Sequence, residues 1–229
     1  MRFSILFKLL IFIALSYSTV VVTGHDISAD NARFVENLTG TAVGPFLYLG
    51  AKHMFTGYDH LLFLMGVVFF LFKPRDIVLY VTLFTIGHSS TLLLGVLANW
   101  QVSGDLVDSV IGLSVAYKAF ENINGFKALS LWQPDTRIAV FAFGLCHGLG
   151  LATKLQNYIS SDESLLINLV SFNVGVELGQ LLALSAILVA LIAWRRQPGF
   201  ANHTYAVNLI IMCAGFVLFG FHITGYLLA

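Results

Sequence analysis

His53-Met54-Phe55-Thr56-Gly57-Tyr58-Asp59-His60 runs directly into Leu61-Leu62-Phe63-Leu64-Met65-Gly66-Val67-Val68-Phe69-Phe70-Leu71-Phe72. The second half of this stretch is apolar without a break, in a chain that is 58% hydrophobic, 10% charged and has a mean hydropathy of +0.85. Those values lie outside the range of a soluble domain, so the chain reads as an integral membrane protein. The first half is then the anomaly: two imidazoles and a carboxylate stand where the chain enters a bilayer, and intramembrane ionisable groups are rare unless they serve a site. On one unbroken helix, His53 and His60 share a face but sit about 10 Å apart along the axis at ~1.5 Å rise per residue. That is too far for one ion unless the helix bends, and Gly57 is placed to allow a bend. Asp59 points to the side and is expected to orient His60.

Outward from this stretch, apolar runs recur at about 46–72, 77–97, 106–120, 137–153, 164–194 and 205–228. A bilayer core of about 30 Å takes roughly 20 residues of helix, which all but the third and fourth runs supply comfortably. Only helices satisfy their own backbone in lipid apart from closed barrels. The expected fold class is therefore all-α, a polytopic membrane helix bundle of about six transmembrane helices after an N-terminal signal peptide.

The domain division follows. Residues 1–24, with Arg2 and Lys8 around an apolar run from Ile5 to Val22, read as a signal peptide, with an uncleaved first membrane helix as the alternative. Residues 25–45 form a short extracytoplasmic lead-in and 46–229 the six-helix transmembrane domain. Cleavage before His25 would leave an amine and an imidazole together, a capture pair for a metal. With the start outside, the inner loops hold Lys73, Arg75, Lys118, Lys127, Arg137, Arg195 and Arg196, and the outer segments only Arg33, Lys52 and Lys154. Trp100, Trp132 and Trp194 fall near helix ends, where interfacial aromatics belong. The expected location is the bacterial inner membrane, with the mature N-terminus extracytoplasmic.

Composition also excludes. A formal net charge of zero gives no electrostatic case for nucleic acid. No GxxxxGK[ST] motif is present, so no nucleotide partner is expected. Cys146 and Cys213 lie in apolar runs and read as core residues, not as a disulfide or a CxxC site.

The remaining polar residues within the spans fall at similar depth. His60 lies in the first span, His88 a little past the middle of the second, and His147 in the matching place of the fourth. Asn173 and Glu177 stand one turn apart in the fifth, with Gln180 close by. Imidazoles with a carboxylate suit a transition metal such as Zn, Ni, Co or Cu, and a buried carboxylate needs a proton or a cation. Each histidine also has a plain structural reading, bonded to a neighbouring carbonyl. Ser89 and His222 are supporting candidates. Glu121 and Asn122, at the inner end of the third span, read most simply as facing water, and so does His203.

The spacing His-x5-Asp-His at 53–60 resembles the signature of the HupE/UreJ proteins, nickel or cobalt permeases associated with hydrogenase and urease systems. Phe84-Thr85-Ile86-Gly87-His88-Ser89, Phe143-Gly144-Leu145-Cys146-His147-Gly148 and Phe172-Asn173-Val174-Gly175-Val176-Glu177-Leu178-Gly179-Gln180 are similar to the second HupE/UreJ-type family. The resemblance runs from about residue 46 to 190. Related nickel/cobalt transporters carry two histidines and a glutamate in their second motif (FHG, then HGxE). Here Gly144 follows Phe143, Gly150 stands in the glutamate position, and Glu177 is the candidate replacement.

Two functional readings result. In the first, the chain is a permease or facilitator: a divalent transition metal, nickel or cobalt before zinc, loses water to His53, His60 and Asp59 and passes to a deeper site at His88, His147 and Glu177. His53 then acts as an outer relay. Its partners are the metal ion as substrate and the lipid bilayer. Downhill movement, proton coupling, or a partner such as a second copy or an accessory protein would drive it. The alternative is an intramembrane zinc-dependent hydrolase on the same residues, with Glu177 or Asp59 as base and Ser89, Ser90 or Ser114 as contacts. A sensor or assembly partner without turnover is a third class.

Overall fold

The computed structural model describes residues 40–156 and 164–229, and among them every regular element is an α-helix. The expected signal peptide and most of the lead-in lie outside the described residues. In chain order the helices are α1 (Val43–Thr56), α2 (Tyr58–Val68), α3 (Pro74–Leu97), α4 (Gly104–Asn122), α5 (Gly125–Ala128), α6 (Thr136–Leu155), α7 (Leu165–Arg195) and α8 (Phe200–Leu228). Of the six expected spans, four are helices long and apolar enough to cross a bilayer: α3, α6, α7 and α8. The other two take different forms. The first is broken at Gly57 into α1 and α2, and the third, α4, carries Asp105, Asp108, Lys118 and Glu121.

Local chemistry sets the helix starts. Pro74 opens α3, where its missing N–H would have no intrahelical partner. The Ser103 side chain accepts from the Leu106 N–H, so α4 begins ahead of its apolar run. Asp135 accepts from the Arg137 N–H at 2.7 Å and caps α6.

Three helix pairs pack most closely: α1 with α7, α3 with α6, and α4 with α8. Lipid supplies no hydrophobic drive between helices, so close backbone approach over small residues must hold them. A Cβ on Gly175 would strike the Leu47 carbonyl, one on Gly148 the His88 carbonyl, and one on Gly112 the Phe219 nitrogen. The α3–α6 contact at His88 and Gly148 sets the relative level of His88 and His147.

The short α2 touches α1, α3, α4, α7 and α8 and is the central element of the bundle. Its apolar face, with Phe63, Leu64, Val67 and Val68, is buried. At its far end the Arg195 guanidinium, from the last turn of α7, donates to the carbonyls of Val68, Phe69 and Leu71. A cation at a helix C-terminus meets the negative end of the helix dipole.

Two expectations for apolar positions change. Cys213 is exposed and Cys146 half-buried, so neither is a core residue. Trp132 and Trp100 are exposed, as interfacial residues should be, but Trp194 is buried between Phe69 and Phe200.

Candidate functional site

The break at Gly57 decides the geometry. Its backbone is extended (φ −77°, ψ 92°), so α1 stops at Thr56 and α2 starts afresh at Tyr58. The imidazoles of His53 and His60, about 10 Å apart on a continuous helix, stand with ring centroids 5.2 Å apart. His53 is therefore no separated outer relay; it adjoins His60.

His60 is fully buried and central to the set. Its ring lies 5.7 Å from that of His88 and 4.8 Å from that of His147. Four imidazoles from α1, α2, α3 and α6 thus form one contiguous group, walled by Phe63, Phe84 and Phe172. The Nε2 atoms of all four are buried.

Hydrogen bonds orient these rings. His60 Nδ1 donates to Asp59 Oδ1 at 3.1 Å, and the same oxygen accepts from the His60 backbone N–H at 2.8 Å. Asp59 sits in the first turn of α2, where a carboxylate is favoured by the helix dipole. His147 Nδ1 donates to the Phe143 carbonyl at 2.7 Å. In a neutral imidazole with Nδ1 protonated, the lone pair is on Nε2, so both rings present Nε2 as the ligand atom. His88 is 1% exposed and its Nε2 has no hydrogen-bond partner among the described residues. A buried nitrogen left so costs about 1–3 kcal/mol, which a ligand would offset.

The rings adjoin without forming a closed chelate. Among the described residues, no group of three or more His, Cys, Asp or Glu side chains is arranged to hold a metal ion together.

Other expected residues go elsewhere. Glu177 is exposed on α7 and does not join the histidines, because Gly175, Val176 and Gly179 take the buried side of that helix. Gln180 is buried instead and donates to Thr85 Oγ1 at 2.9 Å, tying α7 to α3. Asn173 is half-buried with its Oδ1 enclosed, and Ser89 Oγ is likewise enclosed without a hydrogen-bond partner among the described residues. Ser90 and Ser114 spend their hydroxyls on the Ile86 and Ile111 carbonyls of their own helices. His222 faces Asp105 and Asp108 and is not among the imidazoles that adjoin His60. His203 bonds the Gly199 carbonyl one turn back.

Sequence reasoning missed two buried ion pairs. Lys154 Nζ meets Asp108 Oδ2 at 2.6 Å, near the start of α4. At the other end of α4, Glu121 is half-buried and engaged rather than simply facing water: it accepts from Lys118 at 2.8 Å, from Gln133 at 2.9 Å and from Thr136. Asn122 bridges the Gly66 carbonyl and Asn208 there. A cavity of about 380 Å³ opens beside them, lined by Phe70, Lys118, Glu121, Asn122, Asn124 and Gln133. The signal available in the sequence was Asp108 and Lys118 within one apolar run, with Asp105 and Glu121 at its two ends.

The family model described as HupE / UreJ protein matches residues 29–229. No curated protein and no solved structure matches the chain.

Proposed function

The chain belongs to the HupE/UreJ family, which is associated with nickel and cobalt transport, and on that premise we propose that it is a permease for a divalent transition metal, nickel or cobalt, which crosses by way of His53, His60, His88 and His147. The observation that carries the reading is the group of imidazoles around His60, with the rings of His53, His88 and His147 each 4.8 to 5.7 Å from its own between centroids, drawn from four helices. Imidazole nitrogens suit nickel, cobalt and zinc among the first-row dications. A permease must hold its ion well enough to strip water and loosely enough to release it, so neighbouring rings that offer ligands in succession serve better than a tight chelate.

The parts take their roles from this geometry. Asp59 holds the His60 ring in the tautomer that offers Nε2, as carboxylates do behind metal-binding histidines. His53 and His60 receive the ion, His88 and His147 pass it on, and the cavity beside Glu121 is the vestibule at the far end. The start of α1 faces the outside, and Lys73, Arg75, Lys127, Arg137 and Arg196 face the cytoplasm of a bacterial inner membrane. A zinc hydrolase on the same residues would need a carboxylate to work on bound water. Glu177 faces outward and Asp59 is engaged by His60, so no observation favours that reading.

The test is flux. Purified protein in liposomes should accumulate Ni²⁺ or Co²⁺, and His60→Ala should lower the rate by more than about 100-fold, beyond the roughly 10- to 100-fold controlled by residues that only orient a metal ligand. Absence of flux for both ions in the wild-type protein would contradict the proposal.

A further inference from the structure

Where α4 begins and α6 ends, Lys154 Nζ lies 2.6 Å from Asp108 Oδ2, with the two side chains only 15% and 3% exposed. From α8, His222 Nδ1 reaches Asp105 Oδ1 at 3.4 Å and Asp108 Oδ2 at 3.8 Å. Lys154 stands in the last turn of α6, about two turns beyond His147 on the same helix. Gly150, one turn along α6 from His147, faces Asp108: a Cβ there would stand 3.4 Å from Oδ1. The half-exposed Asp105 stands in the first turn of α4, one turn before Asp108.

A buried ion pair is a weak source of stability, because desolvation offsets most of the attraction. Packing does not explain a lysine in this position. We propose that Lys154 is a tethered counter-cation that closes the approach to the histidines and yields Asp108 to a divalent cation but not to a monovalent one. The proposal rests on the permease reading above and adds the residue that sets which ions enter.

The selection follows from charge. At equal distance a dication is attracted to a carboxylate twice as strongly as an ammonium is. Na⁺ or K⁺ carries no more charge than the lysine and has no tether. The displaced ammonium has somewhere to go, since its four-carbon stem is flexible.

The experiment is Co²⁺ uptake by the full chain in liposomes, measured against Co²⁺ concentration with and without excess Na⁺ and K⁺. Lys154→Met should lower the half-saturating Co²⁺ concentration about tenfold, a usual coupling between competing occupants, and make uptake sensitive to Na⁺ and K⁺. Lys154→Arg keeps the charge and should stay within about twofold of wild type. Asp108→Asn leaves the ammonium uncompensated and should raise the half-saturating concentration about tenfold or more. Unchanged half-saturation and no monovalent competition in Lys154→Met overturns the proposal. Should Lys154→Met fail to fold, Lys154→Gln and Asp108→Asn carry the same readout; failure of all three to fold assigns the pair a structural role and also overturns it. A His60→Ala control separates the two ideas. If His60→Ala transports like wild type, the histidine pathway is wrong; if it loses uptake while Lys154→Met behaves as wild type, only the gate is wrong.

Discussion

The interrupted first span and the unbroken α7 lie against each other through Gly50, Gly175 and Gly179, and both bring polar side chains into the bilayer region. They dispose of them in opposite directions. α1 ends at Thr56, and the extended backbone at Gly57 lets α2 re-enter the middle of the bundle with Asp59 and His60 buried in its first turn. α7 continues for 31 residues without interruption. Its contact side belongs to Gly175 and Gly179, and at ~100° per residue Glu177 is about 200° from each, on the opposite side. A break in a helix lets ionisable groups turn inward; a continuous helix packed on glycines leaves its carboxylate on the outside.

The comparison can be broken at either member. On the interrupted side, Asp59→Asn removes the carboxylate that orients His60 and should reduce Ni²⁺ or Co²⁺ flux roughly 10- to 100-fold with the fold retained. A melting curve measured in detergent alongside the flux separates the two effects. Gly57→Ala tests the break itself: the new Cβ would stand 3.0 Å from His60 Nδ1 and 3.2 Å from the His53 carbonyl oxygen. Forcing the ring off its preferred rotamer costs about 0.5–1.5 kcal/mol, so flux should fall about two- to tenfold. On the continuous side, Glu177→Gln should change flux by less than about twofold, as expected of an exposed position. A larger loss there than in Asp59→Asn would return Glu177 to the pathway and reverse the comparison.

The sequence made some of this legible and hid the rest for identifiable reasons. His60, His88 and His147 could be grouped because imidazoles are rare in membrane spans and their depths can be counted along each run. The helical bundle followed from hydropathy in the same way. The distance from His53 to His60 was misjudged because it assumed an unbroken helix: Gly57 was recognised as a place to bend, but local sequence does not show that α2 restarts inside a ring of five helices. Glu177 was misplaced by depth alone, although the spacing Gly175-x-Glu177-x-Gly179 held the information once the glycines are taken as the packed face. Asp108 and Lys154 stand 46 positions apart, and Glu121 draws on Gln133 and Thr136, so these pairings belong to the tertiary fold. Two of the six runs also met the membrane differently from the rest, one broken and one charged, and hydropathy reads both simply as apolar.

The most direct test of the account is the ligand set of the bound ion. X-ray absorption at the nickel edge, on purified protein loaded with one equivalent of Ni²⁺, should show the outer-shell scattering of imidazole ligands. That signal should be lost or reduced in His60→Ala and unchanged in Glu177→Gln. A spectrum of oxygen ligands alone, or an imidazole signal that survives His60→Ala intact, would contradict the claim that the break at Gly57 assembles a histidine path through the bundle.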